Sequence, residues 1–87
     1  SASSRLLASI QSITPGENIH DIRMRFGHEM MSISDPDEMI AFGSIKDPVF
    51  CSDKNLYWFY ISTPPCRVIE VYTDKKRKVA FVTWQGL

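Results

Sequence analysis

The sequence predicts an α+β fold in which two short N-terminal helices pack on a three- to four-stranded antiparallel sheet. Helical patterns lie before Gly27, whereas the second half of the chain holds an aromatic run and two segments whose side chains alternate between two faces. Helices followed by strands along the chain in this way are typical of α+β domains. Because 87 residues support only one hydrophobic core, we expect a single domain over residues 1–87.

The composition is that of a globular protein without a strong overall charge. Hydrophobic residues make up 44% of the chain, and ten basic residues balance ten acidic residues. No global field therefore attracts nucleic acid or an anionic membrane, so any such binding would have to be local. No apolar run approaches the roughly 18 residues that a membrane-spanning helix needs. We expect any membrane attachment to come through a lipid anchor outside this chain.

The first helix is predicted around Arg5–Ile10. Its apolar residues, at positions 6, 7 and 10, fall on one helical face. Ser3 or Ser4 is the predicted N-cap, and Thr14-Pro15-Gly16 ends the helical segment.

The second helix is predicted over Ile19–Phe26. Asn18 is a good N-cap, and Asp21 places a carboxylate at the positive end of the helix dipole. Gly27 supplies the C-terminal cap. One stripe of the helix is expected to be buried, formed by Ile19, Ile22 and Phe26. The polar residues off that stripe are expected to face water: His20, Arg23 and Arg25.

The stretch from His28 to Lys54 has no clean apolar period. Two proline-containing groups, Asp35-Pro36-Asp37 and Lys46-Asp47-Pro48, are interpreted as turns. We expect one strand near Glu38–Gly43 and loop elsewhere.

Three segments in the second half predict strands. Leu56–Ile61 is an aromatic-rich run closed by Pro64-Pro65, while Arg67–Thr73 and Lys78–Trp84 form an antiparallel hairpin around the turn Asp74–Arg77. In the first hairpin strand, one face holds Ile69 and Val71 and the other holds Val68, Glu70 and Tyr72. In the second, we expect Val79 and Phe81 on one face and Ala80, Val82 and Trp84 on the other.

Together these pieces resemble the SmpA/OmlA, or BamE-like, lipoprotein domain. Ile13–Asn18 resembles the family's turn before its second helix, and Ile19–Gly27 resembles that helix. Leu56–Tyr60 is similar to its aromatic strand, and Val68–Val82 to its hairpin. The chain has more residues between the second helix and the aromatic strand than compact members have. It also carries Arg77 in the hairpin turn, where relatives usually place Gly.

The resemblance implies a domain found chiefly in bacterial envelope proteins that bind other proteins. It therefore implies a periplasmic or outer-membrane-associated location and a protein partner. No shared catalytic residues come with the family, so we expect no enzymatic activity and no cofactor.

Two cysteines and two histidines are the residues with the most reactive chemistry. Cys51 and Cys66 would close a loop of 16 residues as a disulfide, worth roughly 3 kcal/mol. The alternative is two separate thiols, one of them a small core residue. No spacing brings the cysteines, His20 and His28 together as metal ligands, so we expect no metal site.

A basic run and a set of aromatic residues are the candidate binding features. Lys75, Lys76, Arg77 and Lys78 form a basic hairpin tip, which is interpreted as a solubilising turn or as a contact for phosphate or lipid headgroups. The aromatic candidates for partner binding are Trp58, Tyr60, Tyr72 and Trp84. Two helices cover only one sheet face, so we expect aromatic residues on the other, partly covered by residues 28–54.

Three functions are compatible with these features. The first is a non-enzymatic protein-interaction module that docks through an aromatic sheet face or the adjacent loop. The second is an inhibitor or immunity-type protein whose sheet face plugs an enzyme, which tight one-to-one binding would reveal. The third is a nucleic-acid-binding module that uses the basic tip, which a steep salt dependence would reveal.

Overall fold

The computed structural model describes residues 1–61 and 67–86, with the backbone alone at positions 2, 3 and 6. Four strands within these residues form one antiparallel sheet in the order β1-β2-β3-β4, which confirms the α+β class. The elements follow one another along the chain as α1 (Ala2–Gln11), α2 (Ile19–Phe26), β1 (Met31–Ile33), α3 (Pro36–Phe42), α4 (Pro48–Cys51), β2 (Asn55–Ile61), β3 (Arg67–Thr73) and β4 (Val79–Gly86).

The first two helices lie where the sequence places them. The N-cap of α1 is Ser1, whose hydroxyl accepts a hydrogen bond from the N–H of Ser4, so this helix begins earlier than predicted. The N-cap of α2 is Asn18, whose Oδ1 accepts from the N–H of His20 at 2.9 Å. Gly27 ends α2 with φ of +83°, a backbone conformation that favours glycine.

Two further helices, α3 and α4, occupy the segment for which the sequence predicts a strand and loops. Asp35 caps α3 by accepting from the N–H of Glu38 at 3.1 Å, and Asp47 caps α4 by accepting from the N–H of Val49 at 3.0 Å. Proline follows each aspartate and occupies the first helical turn, where its missing N–H costs nothing. The prediction of a strand near Glu38–Gly43 is therefore wrong, because an Asp-Pro pair that resembles a turn here begins a helix.

The strands pair with their neighbours in sequence, and one irregularity changes the predicted faces. Tyr72 lies opposite Phe81, whereas Thr73 lies opposite Val79, so Ala80 is an extra residue in β4. This β-bulge reverses the alternation of side chains between Val79 and Phe81. Val79 therefore packs against the first two helices, and the expectation that it shares a face with Phe81 is wrong.

Both faces of the sheet carry a buried cluster, since helices cover each of them. On the α1–α2 face, the buried residues are Ile10, Ile13, Ile19, Ile22, Tyr57, Phe59, Ile69, Val71 and Val79. On the α3–α4 face they are Ile33, Met39, Cys51, Leu56 and Tyr72. Residues 28–54 thus cover part of the second face as the sequence predicts, and β3 is buried from both sides.

The Tyr72 side chain on β3 contacts the backbone that follows α3. The hydroxyl of Tyr72 accepts a hydrogen bond from the N–H of Ile45 at 3.2 Å, and burial raises the pKa of that hydroxyl. A Cβ atom at Gly43 would lie 2.5 Å from the Tyr72 hydroxyl oxygen. Only glycine leaves room for the Tyr72 hydroxyl at this point.

The loop between α1 and α2 closes the first part of the outer edge of β4. The N–H of Gly16 donates to the carbonyl of Val79, and the N–H of Val79 donates to the carbonyl of Glu17, both at 2.7 Å. The carboxylate of Glu17 accepts from the N–H of Thr14 and from the Arg25 guanidinium, and these contacts lower its pKa. The loop is therefore held by backbone hydrogen bonds to β4 and by the contact of Glu17 with Arg25 in α2.

Candidate functional site

The four candidate aromatic residues do not form one surface. Trp58, Tyr60 and Tyr72 lie on the α3–α4 face, whereas Trp84 packs beside the opposite cluster, on the α1–α2 face. Tyr72 is fully buried, which corrects the expectation that it contributes to a docking surface. The two exposed members are Tyr60, at 46%, and Trp84, at 42%, and they lie on opposite sides of the sheet.

A buried carboxylate occupies the centre of the α3–α4 face. Glu70 is fully buried and accepts three hydrogen bonds: from the N–H of Ser44 at 3.1 Å, from the indole of Trp58 at 3.0 Å and from the amide of Gln85 at 2.8 Å. All three donors are neutral. The indole of Trp58 is thus committed to an internal contact, and its ring is half-buried.

An apolar groove of about 270 Å³ lies between the end of α1 and β4. It is lined by Ile10, Gln11, Ile13, Pro15, Val79, Ala80, Phe81, Val82 and Trp84. Phe81 and Val82 point to opposite faces of the sheet, so the groove extends around the outer edge of β4. A groove of this size has space for a large apolar side chain.

Trp84 is held as a platform at one end of this groove. The Arg67 guanidinium lies 4.2 Å from the centroid of the indole ring, a distance suited to cation–π attraction. Arg67 pairs with Gly86 across β3 and β4, so its side chain shares the α1–α2 face with Trp84. The ring is oriented by this contact and still leaves nearly half of its surface to solvent.

The outer edge of β4 is open beside the groove. β4 pairs with β3 on its inner side, and the loop from Gly16 to Ile19 pairs with its first residue and the turn before it. Beyond that point, no hydrogen bond among the described residues involves the outward backbone groups of residues 80–86. An open strand edge presents a row of N–H and C=O groups that another extended chain can pair with.

One of the four cations of the basic hairpin tip forms hydrogen bonds within the chain. The ammonium of Lys75 donates to the carbonyl of Lys54 at 2.8 Å and to the side chain of Asn55 at 2.9 Å, so it fastens the turn to the start of β2. Lys76, Arg77 and Lys78 are exposed. No ion pair found among the described residues involves these three.

A partly buried ion pair lies away from the groove, at the end of α2. The Arg23 guanidinium donates through two nitrogens to both oxygens of Glu29, each at 2.7 Å. This bidentate contact holds the pKa of the Glu29 carboxyl below its ordinary value. Arg23 also lies 5.7 Å from the ring centroid of Tyr57. The expectation that Arg23 simply faces water is therefore wrong.

Cys51 is a buried free thiol. Its sulfur lies 3.7 Å from the carbonyl oxygen of Ile45, and burial raises the pKa of the thiol. Cys66 and the Pro64-Pro65 pair lie outside the described residues. The disulfide and the two separate thiols therefore both stay predictions.

No group of three or more His, Cys, Asp or Glu side chains in the described part of the chain is arranged to hold a metal ion. None of the helices in residues 1–61 and 67–86 combines the length and apolarity that a membrane crossing requires.

Most of this groove could not be predicted from the sequence. Ile10 and Ile13 are recognisable as apolar, but their position beside β4 depends on how the first loop pairs with Val79. The Arg67–Trp84 contact depends on the register of β3 against β4. Pairing residues outward from the hairpin turn gives the wrong register from sequence, because the bulge adds Ala80 to β4. The open edge of β4 follows only from the strand order.

Comparisons of the chain with protein-family models, with curated proteins and with solved structures gave no match.

Proposed function

We propose that this chain is a non-enzymatic protein-interaction module whose docking surface is the groove between α1 and β4. The observation that carries the proposal is the combination of an apolar groove, a half-exposed Trp84 and an open strand edge in one place. Interface anchors are typically large aromatic residues that fill or border such a depression.

The arrangement around Trp84 favours docking over a purely structural role. A tryptophan buried only for stability would leave little of its ring exposed, whereas this ring is 42% exposed and is oriented by Arg67. A preorganised side chain loses little conformational entropy when a partner binds. Trp84 is therefore the residue that we expect to contribute most to affinity.

The experiment is a selection of displayed random-sequence peptides on the purified chain, followed by calorimetry with the selected peptides. Trp84→Ala is expected to weaken their binding by about 2 kcal/mol or more, roughly 30-fold, because the variant removes the anchor. Thermal unfolding of each variant checks that the fold is retained.

Tyr60→Ala is the matched control, since Tyr60 is equally exposed but lies on the opposite face. Its binding affinity is expected to equal that of the unmodified chain. Selected peptides that lose affinity with Tyr60→Ala and keep it with Trp84→Ala would move the docking surface to the α3–α4 face. A selection that yields no peptide sensitive to Trp84 contradicts the proposal.

The proposal includes the periplasmic or outer-membrane location that the sequence resemblance implies. That resemblance alone supports the location.

A further inference from the structure

We infer that the partner which docks in this groove is an acidic, extended segment of another protein that adds to β4 as a fifth strand. The inference rests on the proposed function and specifies the chemistry of the partner.

The backbone of β4 favours an extended partner. β4 is eight residues long, and the loop before α2 closes only its beginning. The remaining outward N–H and C=O groups, in residues 80–86, have no partner among the residues that the structure describes. A helix cannot satisfy such a row because its backbone groups are already paired, whereas a strand satisfies every second residue along the edge.

The position of the groove gives this strand a side-chain site. The groove borders the same edge, between Ile13 on the helical side and Trp84 on β4. Side chains of an added strand alternate between the two faces of the sheet. One large apolar side chain of the partner would therefore enter the groove while its neighbours point away from it.

The charges around the edge favour an acidic partner. Lys76 and Lys78 lie in the turn just before β4, and Arg67 lies beside the end of β4. None of the three forms an ion pair with a carboxylate among the described residues. Two carboxylates at the beginning of this edge are already engaged. Glu17 accepts from Thr14 and Arg25, and Asp74 accepts from two N–H groups of its own turn. The open edge therefore lies between positive charges that have no carboxylate partner in the part of the chain that the structure describes.

The same charges disfavour a second copy of this chain as the partner. If two β4 strands paired in antiparallel fashion, the Lys76 and Lys78 end of one copy would meet the Arg67 end of the other. Parallel pairing would bring the lysines of both copies together. Like charges face each other in both arrangements, which raises the free energy of association.

The test uses three blocked peptides of one length on the full chain. The first alternates Val and Thr, has a central Leu and carries Glu at both ends. The second has Lys in place of Glu, and the third is the Glu peptide with every internal amide N-methylated. The Glu peptide is expected to bind at least tenfold more tightly than either of the others, because only it supplies both the backbone donors and the negative charges.

Amide hydrogen exchange distinguishes strand addition from other binding. The Glu peptide is expected to slow exchange of the outward amides in residues 80–86 about tenfold or more, while the amides of β1, at the opposite edge, stay unchanged. Arg67→Gln combined with Lys76→Gln and Lys78→Gln is expected to remove the preference for Glu over Lys. Lys46→Gln is the control, because Lys46 lies after α3 on the other side of the sheet.

The outcomes separate this inference from the proposed function. Equal affinities for the Glu and Lys peptides, or unchanged exchange in β4, overturn the acidic strand even if displayed peptides still depend on Trp84. Concentration-dependent self-association that protects β4 identifies a second copy and also overturns it. Absence of Glu-peptide binding at about 1 mM overturns it as well.

Discussion

At the scale of single residues, the ion pair of Arg23 and Glu29 depends on pH because folding lowers the pKa of the Glu29 carboxyl. Glu29 is nearly buried, with 6% of its side chain exposed, and its charge is satisfied by a bidentate guanidinium. Charge-assisted pairs of this geometry are stronger than neutral hydrogen bonds. The pair joins the end of α2 to the segment that leads into β1.

Replacing Glu29 with Gln is expected to lower the free energy of unfolding at neutral pH by about 1–3 kcal/mol, because Arg23 loses its charged acceptor. Folding lowers the pKa of this carboxyl, chiefly through the hydrogen bonds from Arg23. Its contribution is therefore full above its unfolded pKa and is lost as the pH falls through the lowered folded value.

Urea unfolding at pH 7 and in steps below about pH 4 measures this difference. The gap between the original chain and Glu29→Gln is expected to narrow on acidification. Glu38→Gln, at an exposed position in α3, is the control and is expected to show a much smaller gap. A gap that stays constant down to the lowest pH would show that the pair has no electrostatic role.

At the scale of elements, the turn of the β3–β4 hairpin combines side-chain hydrogen bonds with a strained backbone position. The Asp74 carboxylate accepts from the N–H groups of Lys76 and Lys78, both at 2.9 Å, which closes the turn. Arg77 then has φ of +64°, the left-handed region in which a Cβ atom is crowded.

Arg77→Gly is expected to raise the free energy of unfolding by about 1 kcal/mol, since glycine adopts this conformation without crowding. Lys76→Gly is the matched control, because Lys76 does not have positive φ and glycine there adds only disorder to the unfolded chain. Denaturant midpoints measure both changes. Equal destabilisation by the two variants would contradict a strained Arg77.

The elements also show what the sequence can and cannot predict. α2 is predictable because Asn18, its apolar stripe and Gly27 agree with one another. α3 is not, since Asp35-Pro36 is compatible both with a turn and with a helix start, and the packing of Met39 against the sheet decides between them. The bulge at Ala80 leaves no signal in the alternation of β4.

At the scale of the whole molecule, coverage of both sheet faces is the property that the sequence predicts only in part. The aromatic run of β2 indicates a sheet with side chains buried on both sides, and residues 28–54 cover the second face as expected. The groove that we propose as the docking site depends instead on the approach of α1 to β4, two elements that are distant in the chain. Local patterns carry no information on such contacts.

The same architecture predicts the state of the two thiols. Cys51 is a free thiol that is buried in one cluster with Tyr72. We therefore expect two free thiols, which is the alternative to the disulfide that the sequence leaves open.

Alkylation under native and denaturing conditions, followed by intact mass and peptide mapping, measures the thiols. Two labels are expected in denaturant without a reducing agent. In the native protein the label at Cys51 is expected to form slowly, because the thiol is buried and its pKa is raised. A mass about two units lower than that of the reduced chain, with no label in denaturant, would show the disulfide instead.

Glu70 disfavours a one-residue slip of β3, one of the two inner strands of the sheet. A slip of β3 by one residue would exchange its two faces and move this carboxylate from its three donors into the isoleucine and valine cluster of the α1–α2 face. An ionised carboxylate without hydrogen-bond donors costs several kcal/mol or more in such surroundings. An all-apolar β3 would tolerate that slip far better. Glu70 therefore raises the free energy of the sheet with β3 shifted by one residue relative to the native sheet. Its main role is then to specify the native strand register, more than to stabilise the native sheet against unfolding.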